Sequence, residues 1–205
     1  AGAVDAQFIV LSAVLSGVKD IREAVEQARA ALNGAFQDVV ISQRLRDDLG
    51  AAINSSRPTL VYGPSGSGKT FIAEHLMRAL SGKIYVPHAL FVDGEVIQVF
   101  DPLIHHAVSA ATQEHALDRW SGVDERWVQC SRPVVMCGGE LTLSMLDLQF
   151  DAHSRFYVAP PQLKANNGLL IIDDLGRQLV TPRDLMNRWI VPLDRHVDYL
   201  TLNTG

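Results

Sequence analysis

Eight residues constrain this chain more than any others: Gly63-Pro64-Ser65-Gly66-Ser67-Gly68-Lys69-Thr70. They fill every fixed position of G-x-x-x-x-G-K-[ST], the phosphate-binding P-loop pattern. Glycine lets the chain turn back without a Cβ clash, so successive backbone N–H groups converge on one anion. A helix opening directly after the loop adds its N-terminal N–H groups and its dipole to the same field. Lys69 supplies a mobile positive charge for β- and γ-phosphates, and Thr70 offers a hydroxyl to Mg²⁺. The flanks suit this reading. Thr59-Leu60-Val61-Tyr62 predicts a buried strand, and residues 71–80 predict a helix with Ile72, Leu76 and Ala79 on one face. Ser81-Gly82 is the expected stop. Phe71 follows the loop and completes the expected binding set.

A second element has the matching chemistry. Leu169-Leu170-Ile171-Ile172-Asp173-Asp174 is a fully apolar run closed by two carboxylates. Such a run predicts a central parallel strand buried on both faces, and its carboxyl end is where ligands sit on an open α/β sheet. Asp173 is expected to hold Mg²⁺ through water. Asp174 is expected to orient or deprotonate an attacking water.

The remaining chain supplies a framework. Residues 4–33 predict one or two helices with Ile21, Ala24, Val25 and Ala28 on one face and Asn33-Gly34 as the stop. Asp38 to Ser42 allows two readings, a seat for an adenine ring at Val40 and Ile41 or a short core strand. A helix is expected from Gln43 to about Ile53, then a turn through Asn54 to Pro58. Ile84 to Val86 predicts extended chain, and Leu90 to Phe100 predicts a hairpin around Asp93-Gly94. Residues 101–124 predict a long loop with exposed histidines. Strands are expected at Arg126–Gln129, Val134–Cys137 and Arg155–Val158. A short helix capped by Thr142 is expected at Leu141–Leu148, and a turn or short helix from Pro160-Pro161 to Gly168. Thr181-Pro182-Arg183-Asp184 reads as cap, first-turn proline and N3 acid of a helix that Pro192 ends. Arg188 and Arg195 allow two readings, charge-stabilising arginines acting across a subunit boundary or, the favoured one, a solvated helix face. Tyr199–Leu202 is read as a last strand.

Composition narrows the function classes. With 205 residues the chain suffices for one α/β domain with a full core or a domain with a small appendage, and 47% apolar with 20% charged residues suits a soluble globular protein. A net charge of −5 opposes broad nucleic-acid binding. Cys130 and Cys137 are too few for a zinc or disulfide framework and read as small buried hydrophobes in a reducing, cytoplasmic setting. The apolar run Phe8 to Val18 is too short to span a bilayer. The start lacks the basic segment of a signal peptide, and with no initiator Met it reads as a boundary.

The P-loop, the Leu-Leu-Ile-Ile-Asp-Asp strand and the Asp38-to-Ser42 approach together resemble an AAA+ ATPase. Ala165 to Asp174 and Leu185 to Asp194 resemble a set of uncharacterised bacterial ATPases of that superfamily. The resemblance covers residues 38–205 and implies a P-loop NTPase α/β fold, three-layer α/β/α with a mainly parallel central sheet. Residues 1–36 would be an N-terminal helical segment and 37–205 the ATPase core, with a hairpin-rich insertion within 84–165. ATP/ADP and Mg²⁺ are the implied cofactors, and Lys69 with Asp174 the implied catalytic pair. A ring-like homo-oligomer acting on a protein partner is the implied assembly. The family's usual Asp-Glu is Asp173-Asp174 here, a pair also found in STAND-type switch NTPases. The polar sensor strand, arginine finger and helical lid are expected beyond Gly205. Two functions follow: an ATPase that couples Mg-ATP hydrolysis to remodelling of a partner, and a switch or scaffold that binds ATP with little turnover. A P-loop kinase would be expected to carry an Arg-rich lid segment, and none stands out.

Overall fold

The computed structural model describes residues 26, 29–55, 58–64, 66–79, 82–108 and 124–202. Most of the predicted N-terminal helix, Ser65, Ser81 and residues 109–123 of the expected long loop lie outside them. The chain divides into two compact units, Ala1–Ser81 and Gly82–Gly205.

The described residues of the first unit form helices and the segments that join them. A helical stretch over 29–35 runs past the predicted stop at Asn33-Gly34 and closes at Phe36, whose N–H donates to the Leu32 carbonyl at 3.2 Å. Ser42 caps α1 (Gln43–Ser55) by accepting the Leu45 N–H at 3.2 Å. Helix α2 is Lys69–Ala79. Leu32, Ala35, Phe36 and Leu49 form the core, and Ile72, Leu76 and Ala79 of α2 pack against it, the face that their spacing predicts. The buried His75 fixes its ring on α2 by an Nδ1 contact of 2.8 Å to the Phe71 carbonyl.

Two further expectations fail in this unit. Thr59 to Tyr62 is irregular and belongs to no sheet among the described residues. Leu60 and Tyr62 are exposed, because burial of a strand needs a lateral partner and a covering layer. Asn54 and Ser55, expected in a turn, belong to α1 instead.

The second unit is built from strands. β1 (Lys83–Pro87) pairs antiparallel with β4 (Trp127–Ser131). β2 (Ala89–Val92) and β3 (Glu95–Gln98) form the predicted hairpin, with Asp93 and Gly94 at φ 50° and 87° as its two-residue turn. β5 is Val134–Cys137. β6 (Gln149–Asp151), which periodicity does not reveal, pairs antiparallel with β7 (Phe156–Val158), and β7 runs parallel to β3. α3 (Pro161–Lys164) leads into β8 (Leu169–Ile172), which lies parallel to β5 with Val134 opposite Leu169 and Cys137 opposite Ile172. α4 spans Pro182–Arg195. One core gathers Ile84, Val86, Ile97, Val99, Cys130 and Tyr157; the other gathers Val135, Cys137, Leu141, Leu146, Val180 and Leu185. Both cysteines are buried free thiols, as their spacing suggests.

Here too the structure corrects the sequence. β8 is half-buried along its length and pairs with β5 alone among the described residues, so burial on both faces is not realised there. The Leu141–Leu148 helix contracts to one 3₁₀ turn at Ser144–Leu146. Tyr199–Leu202 is irregular; Leu200 and Leu202 pack on the first core without a strand partner. α4 continues through Pro192 and ends where His196 takes a left-handed conformation at φ 55°. A proline forfeits one N–H bond but tolerates the helical φ, so in a last turn the chain absorbs it. His105 is buried rather than exposed. Its Nδ1 accepts the Asp101 N–H at 2.9 Å and its Nε2 lies 2.9 Å from the Lys164 carbonyl. Lys164 also pairs with the Asp101 carboxylate at 2.8 Å. Burial disfavours charge on Asp101, but the hydrogen bonds from Lys164 and the Leu103 N–H outweigh it and hold its pKa below the ordinary value.

Candidate functional site

The predicted site residues fall on two segments, the loop at 63–70 in the first unit and the strand end at 173–174 in the second. In the first, Gly66 and Gly68 adopt φ 77° and 82°, left-handed conformations that a side chain would strain. Ahead of Gly68 the chain turns tightly, with the Ser67 N–H donating to the Pro64 carbonyl at 3.3 Å. The Gly68 carbonyl accepts the Ile72 N–H at 2.9 Å, so α2 starts on the last glycine of the loop. Lys69 Nζ donates to the Pro64 carbonyl at 2.9 Å, arching its ammonium back over the loop. Gly63, Pro64, Gly66, Ser67 and Gly68 are exposed, while Lys69 and Thr70 are half-buried. The loop is thus accessible, with the Lys69 ammonium closed back onto it.

Of the other predicted contacts, Phe71 is half-exposed on α2, its ring centroid 3.9 Å from that of His75. Val40 is fully exposed, whereas Ile41 is half-buried against the helical core. Neither residue lies in a strand, so the short core strand once open for this segment is not formed.

The second segment stands at the carboxyl ends of β5 and β8. The Asp173 N–H donates to the Cys137 carbonyl at 2.9 Å, the last bond of that ladder. The chain then turns sharply: Asp174 sits at φ 52° and Gly176 at 100°. Asp173 Oδ1 accepts the Asp174 N–H at 2.9 Å. Asp173 is half-buried and Asp174 exposed, with the Arg177 guanidinium 3.5 Å from the Asp174 carboxylate. The parallel register puts both predicted carboxylates just past the carboxyl end of β8, beside that of β5.

Sequence reasoning missed two neighbours. Glu140, three residues past β5, accepts the Gly138 N–H at 3.0 Å. That bond and one from its own N–H hold its carboxyl below the usual carboxylate range. Gln178 is buried and bonds the backbone on both sides of Asp174. Neither belongs to a periodic pattern; only the Gly138-Gly139 dipeptide hints at a tight turn there.

The two arginines separate clearly. Arg188 is half-buried and forms a bidentate pair with Asp198 at 2.6 and 3.1 Å, with the Leu146 carbonyl at 3.1 Å. The Asp198 hydrogen bond, opposed by burial, raises its pKa. Arg188 is thus committed inside its own unit and is not on a solvated face. Arg195 is exposed, 4.0 Å from Asp194.

A family model described as AAA ATPase domain matches residues 40–195, well over half of the chain and inclusive of both segments. The chain belongs to this family. No curated protein matches the chain. Membership makes this a nucleotide-binding ATPase domain of the P-loop α/β class. No helix among the described residues is long and apolar enough to cross a membrane.

Proposed function

We propose that this AAA ATPase domain binds Mg-ATP on the Gly63–Thr70 loop and hydrolyses it, coupling turnover to a conformational change that remodels a protein partner. The observation that carries this reading is the loop itself: two left-handed glycines, a helix starting on the second, and a lysine arched over the turn. Lys69 exchanges its Pro64 carbonyl for β- and γ-phosphate oxygens, a stronger, charge-assisted partner. Thr70 and Asp173 offer one hydroxyl and one carboxylate, hard oxygen donors of the kind Mg²⁺ takes when phosphates and water complete its shell. Mg²⁺, when bound, offsets phosphate charge. Asp174 orients or deprotonates the attacking water. Val40 and Ile41 face the adenine.

The same reading extends to a three-layer fold with a mainly parallel central sheet, an insertion within 84–165, a cytoplasmic setting and a ring of identical subunits.

A second reading, a switch that holds ATP with little turnover, draws on Arg188. Phosphoryl transfer normally needs an arginine opposite the P-loop lysine, and Arg188 is spent on Asp198. The two readings share the binding step and divide at hydrolysis.

Fluorescent-nucleotide titration of wild type and Lys69→Ala tests the shared step. Tight binding that disappears in the variant is expected; equal affinity removes the P-loop from the argument. Steady-state ATPase with and without Mg²⁺ then divides the two readings.

A further inference from the structure

Gln178 is a buried amide with both polar ends engaged by the turn that carries the acid pair. Its Nε2 donates to the Asp173 carbonyl at 2.5 Å, and its Oε1 accepts the Gly176 N–H at 2.8 Å. The Asp173 carbonyl and the Asp174 N–H are two ends of one peptide unit. Gln178 holds the carbonyl end, and the Asp173 carboxylate holds the N–H end at 2.9 Å. The plane of that peptide therefore fixes the direction of the Asp173 carboxylate.

That conformation is not one the chain prefers. Asp174 at φ 52° is left-handed, which costs a non-glycine residue about 1 kcal/mol. Gly176 at φ 100° lies in a region that a side chain rarely adopts. Two backbone bonds help, from Arg177 N–H to the Asp174 carbonyl at 2.9 Å and from Leu179 N–H to the Gly139 carbonyl at 3.1 Å. Neither reaches the 173–174 peptide from the Asp173 side. Gln178 does, and it does so from a buried position where an unpaired amide would be costly.

We propose that Gln178 is the positioning residue of the acid pair: it locks the 173–174 peptide and thereby aims Asp173 at the cation and Asp174 at the water. This rests on the roles proposed above for the two aspartates. It predicts a separation between nucleotide binding and its metal dependence. A residue acting only through the P-loop would change both, and a residue important only for folding would change neither apart from stability.

The test is nucleotide titration of the full chain, with and without Mg²⁺, beside thermal unfolding. Gln178→Leu keeps size and loses both bonds. Gln178→Asn keeps the amide but is one methylene too short to span both partners. Leu185→Ala, in the core beneath α4, is the control that lowers stability without touching the turn. Both Gln178 variants should keep the Mg²⁺-free affinity of wild type. The tightening produced by Mg²⁺ should fall by about 10- to 100-fold, the usual cost of removing the partner that orients a metal ligand. Leu185→Ala should keep the full Mg²⁺ effect at temperatures below its unfolding. Wild-type Mg²⁺ dependence in either folded Gln178 variant overturns the proposal, as does an equal loss in Leu185→Ala. A wild-type chain that binds nucleotide with no Mg²⁺ dependence instead overturns the acid-pair reading, and this proposal with it.

Discussion

Gly168 offers the sharpest test of how the acid pair is supported. A Cβ built on it would lie 1.9 Å from the Pro133 carbonyl oxygen and 2.8 Å from Pro133 Cγ and Cδ. No real Cβ approaches backbone so closely, and Pro133 is itself buried, so it has nowhere to go. The same carbonyl accepts the Leu169 N–H at 2.9 Å, the bond that opens the β5–β8 ladder. Gly168→Ala must therefore push the two chains apart at the first rung. Overpacking of this kind costs about 1 to 3 kcal/mol, and the forfeited hydrogen bond about 1 kcal/mol more. The sum is roughly 3 kcal/mol, which lowers the melting temperature by about 10 °C for a chain of this length. Thermal unfolding followed by circular dichroism measures it. Gly34→Ala is the contrast: the residue is helical and its Cβ would meet nothing within 4 Å. It should gain up to about 1 kcal/mol from helix propensity. A Gly168→Ala melting temperature within about 2 °C of wild type refutes the close-approach argument.

The remaining expectations concern charge. Asp173→Asn should weaken Mg²⁺-dependent nucleotide binding, while Asp174→Asn should leave ATP bound and slow hydrolysis by about 10²-fold; equal turnover in wild type and Asp174→Asn would favour the switch. Arg188→Ala should cost about 2 kcal/mol, because it strips Asp198 and the Leu146 carbonyl of their shared donor, a loss that urea unfolding reads directly. Asp198 loses by burial but gains more from Arg188 and Gln162, so its folded pKa lies below the unfolded value. The stability it contributes is therefore complete above about pH 4 and is lost as pH falls through the folded pKa. Asp198→Asn should flatten the pH dependence of stability in that acid range and leave its slope near neutral pH unchanged.

Legibility followed the range of the interaction. The hairpin at Asp93-Gly94, the Thr181 cap that accepts the Asp184 N–H at 3.2 Å and the α2 face are decided within a few residues, so a single sequence encodes them. The P-loop is local in the same sense, since Lys69 closes back on the Pro64 carbonyl five residues earlier. Failures begin where the partner is distant. His105 is buried because the Lys164 carbonyl waits for it 59 residues away, and nothing near His105 announces that acceptor. Arg188 looked like a helix-surface cation because its helix spacing says so; Leu146 and Asp198 turn it inward. Thr59 to Tyr62 has strand composition, but composition supplies no neighbour to pair with.

The acid pair shows how these two classes combine. Its existence is local, since an apolar run closed by Asp173-Asp174 is visible in the sequence. Its geometry is not. The strand is placed by parallel pairing with β5, across more than thirty residues of intervening chain. That pairing tolerates no side chain at Gly168. The turn after it depends on a buried amide four residues beyond Asp174, within reach of any helix or loop pattern and demanded by none. A left-handed aspartate at the end of a strand is disfavoured in isolation, and it persists because the surrounding bonds over-determine it. Strain held in this way is concentrated at the position proposed to aim a water at phosphate. Relaxing it through Gln178 should accordingly cost metal dependence before it costs the fold.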